Sequence, residues 1–449
     1  MDTAPTSSAA NVNESKQAIE TRTLRKITIR FTYLLAFMQL VCFVDRTNVG
    51  MAALHMNQEL KLGAAVFGFG AGLLFVGYAL FDIPSNLILH RVGAKKWMGV
   101  IMIMWGLVAA ALGLTQGPHS FYALRFLLGA TEAGFVPGSV YFLTLWYPAR
   151  HRSTPLAYFF SCSVLAGIVM GPLSAWLMEI TNGMLGASGW RWMLAFEGLP
   201  AVIVGIASLF ILLDGPRDAK WLTQEEKNWL IGTLESERRI EPPVEHHSVL
   251  TFLADGRMWI MGGFYFMFNL DTMGIMLWLP LILKAFSKSN TQVIGNLYAF
   301  FFFCAFVGVH AFDRWTRYTG NRRLSLLLCS FVPFVALTGT VFVPMPALLA
   351  YAVLCFASLF IWGLLPLFWT LPGEYMGGKT AAGGLAFVTS MGAVGALVGP
   401  WIIGLIKQFT GKFEFAVFAL AMAFLFQGGF VLIMKIKRRA PGMRYIETR

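Results

Sequence analysis

Apolar stretches of roughly bilayer-crossing length recur twelve times along the chain. Their approximate limits are 27–50, 66–88, 97–116, 121–144, 155–177 and 190–213 in the first half, then 257–283, 292–312, 322–343, 347–370, 380–406 and 413–435 in the second. Each is close to the ~20 residues an α-helix needs to cross the hydrocarbon core. No water inside lipid satisfies a bare peptide group, so each stretch must bond its backbone within itself, and helices follow. At 57% hydrophobic and 13% charged over 449 residues, the chain has more apolar surface than a water-soluble protein can hide. The expected fold class is all-α integral membrane, with twelve transmembrane helices.

The net charge of +12 raises nucleic acid as a partner, but the cations are placed differently. Nothing resembles a basic reading helix with interleaved aromatics. Of the 35 Lys and Arg, 27 fall in loops or at span ends on the side of the N-terminus, six likewise on the other side, and two, Arg46 and Arg125, deep inside spans. Positive charge accumulates on the cytoplasmic side of membrane proteins, so both termini are expected in the cytosol. Cys42, Cys162, Cys304, Cys329 and Cys355 all lie in apolar segments and read as packing residues, not a disulfide set or metal site. The absence of a Walker pattern argues against ATP-driven pumping. No nucleophile–base set points to an enzyme, and no cofactor is expected.

Two offsets divide the chain. GIVMGP at 167–172 and GALVGP at 395–400 share G-x-x-x-G-P, 228 residues apart; Gly93-Ala94-Lys95-Lys96 and Gly320-Asn321-Arg322-Arg323 lie 227 apart. Their agreement points to a duplicated six-helix unit, hence two pseudo-symmetric bundles. Gly171-Pro172 and Gly399-Pro400 let helices approach closely and bend. The expected layout is a disordered cytoplasmic tail at 1–26, a first bundle at 27–213, a linker at 214–256, a second bundle at 257–435 and a tail at 436–449. In the linker, Thr223-Gln224-Glu225-Glu226 has the form of a capping box opening a short amphipathic helix. Trp221, Leu222, Trp229 and Leu230 suit a membrane surface.

Ionised groups inside spans are costly and are by default functional. Asp45 and Arg46 are adjacent, so on a helix they point about 100° apart and must meet different partners. Arg125 and Glu132 are seven residues apart and share a helix face. A carboxylate whose neighbours change can load and release a proton, and an arginine offers a planar fork to a carboxylate. Two acids and two arginines in one half therefore suit carriage of an organic anion with protons, driven by a proton gradient. A structural salt bridge is the competing account of Arg125 and Glu132. Tyr78 is placed to hydrogen-bond a ligand. Glu197, Asp271 and Glu374 read as local caps or interhelical bonds.

The segments FVDRTNVG (43–50), GYALFDIPSNLILHRVGAKKW (77–97), RFLLGATEAGFVPG (125–138), WRWMLAFEGLP (190–200) and AKWLTQEEKNWL (219–230) together resemble the anion:cation symporter branch of the major facilitator superfamily. Asp313-Arg314 followed by Gly320-Asn321-Arg322-Arg323 is similar to that superfamily's D-R-x-G-R-R loop, a gating latch; Asn86 stands where the first copy would carry its aspartate. The resemblance implies proton coupling at Asp45 and Glu132 and substrate contact at Arg46, Arg125 and Tyr78. Sugar-acid carriers of this branch use amides in spans five and eleven, where this chain has Ser163 and Thr389. That departure favours a less hydroxylated anion, an aromatic carboxylate such as phthalate or hydroxyphenylacetate; the aromatic run at 298–306 reads as lipid-facing, with a wall for such a substrate as the other reading. Tartrate or a sugar acid by the same mechanism is the alternative, and a non-transporting sensor on this fold is the competitor from another class. The expected setting is a bacterial inner membrane, with lipid as surroundings and a monomer as functional unit.

Overall fold

The computed structural model describes residues 7–240, 255–369, 371, 381–434 and 436. Glu374 and the tail from 437 onward lie outside them. All regular structure among the described residues is helical, and twelve helices are long and apolar enough to cross a membrane. The first span is assembled from α1 (Ser7–Ile27), a π-helical turn at Thr28–Thr32, α2 (Tyr33–Thr47) and α3 (Val49–Glu59). Then follow α4 (Ala64–Val92), α5 (Ala94–Ala111), α6 (Pro118–Glu132), α7 (Phe135–Trp146), α8 (Ser153–Ile180) and α9 (Gly189–Ile211). The linker carries α10 (Gln224–Ile240). The second bundle comprises α11 (Gly256–Ser287), α12 (Thr291–Thr319), α13 (Arg322–Phe342), α14 (Ala347–Phe368), α15 (Ala381–Thr410) and α16 (Glu414–Ile433).

Residues 7–26 do not follow the expectation of a disordered tail, since they are helical up to Ile27. The segment has no apolar core of its own, but its last turns are held from far along the chain. Arg22 Nε donates to Glu226 Oε1 at 2.7 Å, and Lys26 Nζ reaches both Glu226 oxygens at 2.9 Å. Burial alone would raise the Glu226 carboxyl above its usual range, but Lys26, the Thr223 amide and Arg22 outweigh it and hold it below. The capping box forms as its spacing predicts: the Thr223 amide donates to Glu226 Oε2 at 2.8 Å and the Glu226 amide to Thr223 Oγ1 at 3.3 Å. Trp221 and its neighbours do not lie against lipid. Trp221 stacks on Trp146 at 5.8 Å, and Leu222 and Leu230 are buried with the first bundle's core. The linker helix therefore belongs to the first bundle.

The bundles meet at the end remote from the linker, here the distal end. Gly171 and Gly295 pack backbone against backbone between α8 and α12, and a Cβ on Gly50 of α3 would lie 2.8 Å from the Leu277 carbonyl of α11. Along α4 and α15, Gly68 abuts Pro400, Gly72 abuts Leu397 and Gly404 abuts Ala64. Polar contacts join the same end: Ala65 N donates to Gln408 Oε1 at 3.1 Å, and His55 Nε2 lies 3.0 Å from Thr291 Oγ1. Toward the linker end the same two helices expose Leu80, Ile83 and Leu87 on α4 and Leu385 on α15. The two G-x-x-x-G-P motifs serve unlike purposes. Gly171 joins the bundles, whereas Gly399 lets α15 close on Leu270 of α11 within one bundle, and the Pro400 carbonyl accepts from Trp278 Nε1 at 2.9 Å. Pro172 lies within α8. Asp313 pairs with Arg317 one turn along α12, while Arg314 is exposed. Gly93 adopts φ 94° and Asp214, from the end of α9, accepts from Lys95 N at 2.8 Å.

Candidate functional site

The divergence of Asp45 and Arg46 sets the geometry. Asp45 turns into the first bundle, where Oδ2 accepts from Trp105 Nε1 of α5 at 2.7 Å while Oδ1 has no partner. Arg46 turns the other way and pairs with Glu132 on α6. Its guanidinium lies over three rings: Phe43 at 5.2 Å, Phe75 at 5.9 Å and Tyr78 at 5.4 Å. Such stacking favours arginine over lysine. Its side chain is 12% exposed against 1% for Glu132, so solvent reaches the pair from the arginine side.

Arg125 has no exposed surface. One nitrogen, Nη2, donates to Ala71 O at 2.9 Å and Arg46 O at 3.4 Å, leaving Nε and Nη1 without partners. Close approach of α4 and α6 makes this possible: Gly129 lies against the Leu74 carbonyl and Gly77 against that of Phe126. Glu132 ends α6. The chain breaks at Ala133 and Gly134, whose φ is +84°, before resuming as α7. Ser85 holds the break, donating to Ala133 O at 2.7 Å and accepting from Trp97 Nε1 at 3.0 Å. A continuous fourth span is therefore not what forms; a helix interrupted directly after its acid is.

Arg46, Glu132, Arg125 and Tyr78 are brought together among α2, α4 and α6, with Asp45 one layer behind. Ser163 and Thr389 stand apart from that group. Ser163, nearly buried on α8, accepts from Gln39 Nε2 at 3.0 Å. Thr389 is exposed on α15 and bonds back to the Ala386 carbonyl. Sequence reasoning passed over Cys42, whose thiol donates to Glu132 Oε1 at 2.9 Å, and over Gln39 and Trp105. Cys42 and Gln39 do stand on the helix carrying Asp45, three residues apart, and that spacing was the available signal. Glu197 makes an interhelical bond, accepting from Ser174 Oγ at 2.6 Å. The aromatic run of span eight is no open wall, since Tyr298 and Phe302 are buried, the latter against Gly167. A different aromatic group lies in the second bundle, where Tyr265 of α11 stacks on Phe368 at 5.0 Å, beside Trp369 at 5.3 Å.

Buried polar groups normally find partners, and each left without one costs about 1–3 kcal/mol. Here Gln39 Oε1, Asp45 Oδ1, Arg46 Nε, Asn48 Oδ1, two Arg125 nitrogens and Glu132 Oε2 all lack one. Such a concentration of unmet donors and acceptors makes this cluster the candidate site. A concavity of about 490 Å³ opens elsewhere, at the distal end by His55, Glu59 and Trp190. Glu59 there already accepts from Trp190 Nε1 at 2.6 Å and from Arg191, so that hollow is braced by satisfied bonds, and the buried charges remain the better site.

Residues 35–400 match the Major Facilitator Superfamily. A protein named "Putative tartrate transporter" from Agrobacterium vitis is 40% identical over 96% of this chain and 94% of its own length. A quinolone resistance transporter of Acinetobacter baumannii is 37% identical over 90% and 92% of the two chains. The metabolite transport protein NicT of Pseudomonas putida, its function also given as putative, is 34% identical over 88% and 90%. Among solved structures, the inward-open xylose transporter XylE from E. coli superposes with a TM-score of 0.70 at 15% identity, covering 89% of this chain and 95% of that one. A bacterial homolog of human lysosomal Spinster, inward-facing and occupied, gives 0.71 at 14% identity, covering 90% and 95%. With a family match across most of its length and relatives that are carriers, the chain belongs to the Major Facilitator Superfamily of membrane transporters.

Proposed function

We propose that this transporter imports a small organic carboxylate by proton symport, the two bundles rocking about the charged cluster. The observation that carries this reading is the Arg46–Glu132 pair, reached by solvent only on its arginine side and framed by unpartnered polar atoms. A substrate carboxylate and ionised Glu132 compete for one guanidinium. Protonating Glu132 removes the competitor and frees Arg46 for the incoming anion, so proton and anion load together. Arg125 supplies unused donors beside it, and Asp45 is the second acid. With the termini in the cytosol, the closed distal end faces outward, and the exposed faces of α4 and α15 support an opening toward the cytoplasm. A single copy suffices.

The relatives named as tartrate transporters favour a hydroxylated diacid. The aromatic carboxylate expected first from the sequence, for which the stack of Tyr265, Phe368 and Trp369 in the second bundle offers a surface, becomes the second reading. Proteoliposomes with an acidic exterior decide both points. Labelled tartrate or phthalate accumulates in the wild type, and each unlabelled acid is tested as competitor. Glu132→Gln abolishes accumulation while permitting exchange down the substrate's own gradient. If the variant accumulates substrate as the wild type does, Glu132 is not the coupling acid.

A further inference from the structure

Two buried polar side chains of the second bundle take no part in the cluster above. Asp271, midway along α11, has no exposed surface, and neither carboxylate oxygen has a partner. Gln427 of α16 is equally buried, with both its amide oxygen and nitrogen unpartnered. The two helices run antiparallel, with Gly263 against the ring of Phe430 and Gly274 against Leu420. That register sets Ala423 opposite Asp271 and Gln427 one turn away. Helical side chains lean toward their own N-terminus. Asp271 therefore leans toward the level of Gln427, and Gln427 toward the level of Asp271.

No charge is brought to this level by the helices packed on α11. His55 and Glu59 of α3, Lys407 of α15 and Glu414 of α16 lie toward the distal end, and His310, Asp313, Arg314 and Arg317 of α12 toward the linker end. On α11 itself Arg257 and Lys284 stand near its two ends. Helix α14 has no acidic, basic or histidine side chain, and the hydroxyl of its Tyr351 donates to Leu297 O at 2.8 Å. Tyr298 of α12 donates to Met276 O. By this register Phe268, Ile275, Leu420 and Phe424, all buried, stand within about a turn of this level. An ionised carboxylate alone in such a place is prohibitively costly, and the group neutralises instead. A carboxylic acid and a carboxamide are complementary: the acid O–H donates to the amide oxygen, and the amide N–H donates to the acid carbonyl.

We propose that Asp271 and Gln427 form a proton-binding site of the second bundle, in which the protonated acid closes on the amide by side-chain rotation and which is emptied when rocking admits water between α11 and α16. The motion has a route to it. Leu277, less than two turns from Asp271, sits against Gly50 of the first bundle at the closed end. The proton comes from water on one side and returns to water on the other, as one proton per cycle beyond those of the first bundle.

Two measurements on the reconstituted full chain test this, and only the second rests on the symport reading. Infrared difference spectra at neutral pH show the carbonyl stretch of an un-ionised acid that Asp271→Asn removes and Gln427→Leu shifts. An unchanged spectrum in Asp271→Asn means that Asp271 is ionised and overturns the proposal. In vesicles with an imposed pH gradient, Asp271→Asn lowers the steady accumulation ratio by about tenfold per unit of gradient, as loss of one coupled proton requires. Wild-type accumulation in the variant, or accumulation driven by sodium in place of the pH gradient, also overturns it. Should the wild type itself accumulate nothing, symport fails while the spectrum still decides the protonation of Asp271. If Asp271→Asn does not fold, the shift in Gln427→Leu carries the spectral test.

Discussion

Asp45 is held by one bond, and that bond is its weak point. Trp105 Nε1 is its donor at 2.7 Å, and the other carboxylate oxygen has none. Trp105→Phe keeps most of the packing and deletes the donor, leaving a buried acid wholly unpartnered. The expected result is a loss of about 1–3 kcal/mol, read as a lowered unfolding midpoint in detergent. Asp45→Asn in the same chain recovers part of it, because an amide costs less to leave unbonded than a carboxylate. An additive double mutant would mean that the two side chains do not interact. At this scale the sequence was informative about direction and silent about identity. Adjacency alone told that Asp45 and Arg46 look different ways. That Asp45 finds an indole and Glu132 a thiol as well as a guanidinium depends on how α2 settles against α5 and α6, which no local pattern encodes.

The interrupted fourth span argues the same way for elements. Residues 121–144 carry an uninterrupted hydropathic signal, and the turn within them is made by backbone conformation. Gly134 adopts φ +84°, and a Cβ there would meet Ser85, lying 2.7 Å from its Cβ. Gly134→Ala accepts a left-handed conformation at a cost of about 1–2 kcal/mol and pushes Ser85 off the Ala133 carbonyl. Transport falls strongly while protein in the membrane falls only in part, measured as initial uptake per folded molecule; an unaltered rate would mean that the break does not position Glu132. The capping box was legible because both of its bonds lie within four residues. The ordering of α1 was not, because Glu226 is 200 residues from Lys26 in the chain. Trp221 was assigned to lipid on its amphipathic surroundings, and its stacking on Trp146 shows that an apolar stripe beside a bundle is covered by the bundle first.

For the molecule as a whole, the duplicated motifs gave the two bundles and hid the inequality between them: the first carries the Arg46–Glu132 pair, the second a neutral aromatic face and the isolated Asp271. Alternating access requires the distal contacts to part in every cycle. Gln408 of α15, exposed at this end, accepts from Ala65 N of α4 at 3.1 Å, so cysteines at these two positions lie within reach of a short bifunctional thiosulfonate. Ala65→Cys with Gln408→Cys, bridged by that reagent, therefore locks α4 to α15 and abolishes uptake. Reduction restores it, and each single substitution retains transport under both conditions, Cys42 being left in place because it bonds Glu132. The locked carrier still binds substrate from the linker end, since the exposed faces of α4 and α15 lie on that side. Undiminished uptake by the fully cross-linked protein would require a route through the bundles that never separates Ala65 from Gln408, and rocking about the charged cluster could not be the mechanism.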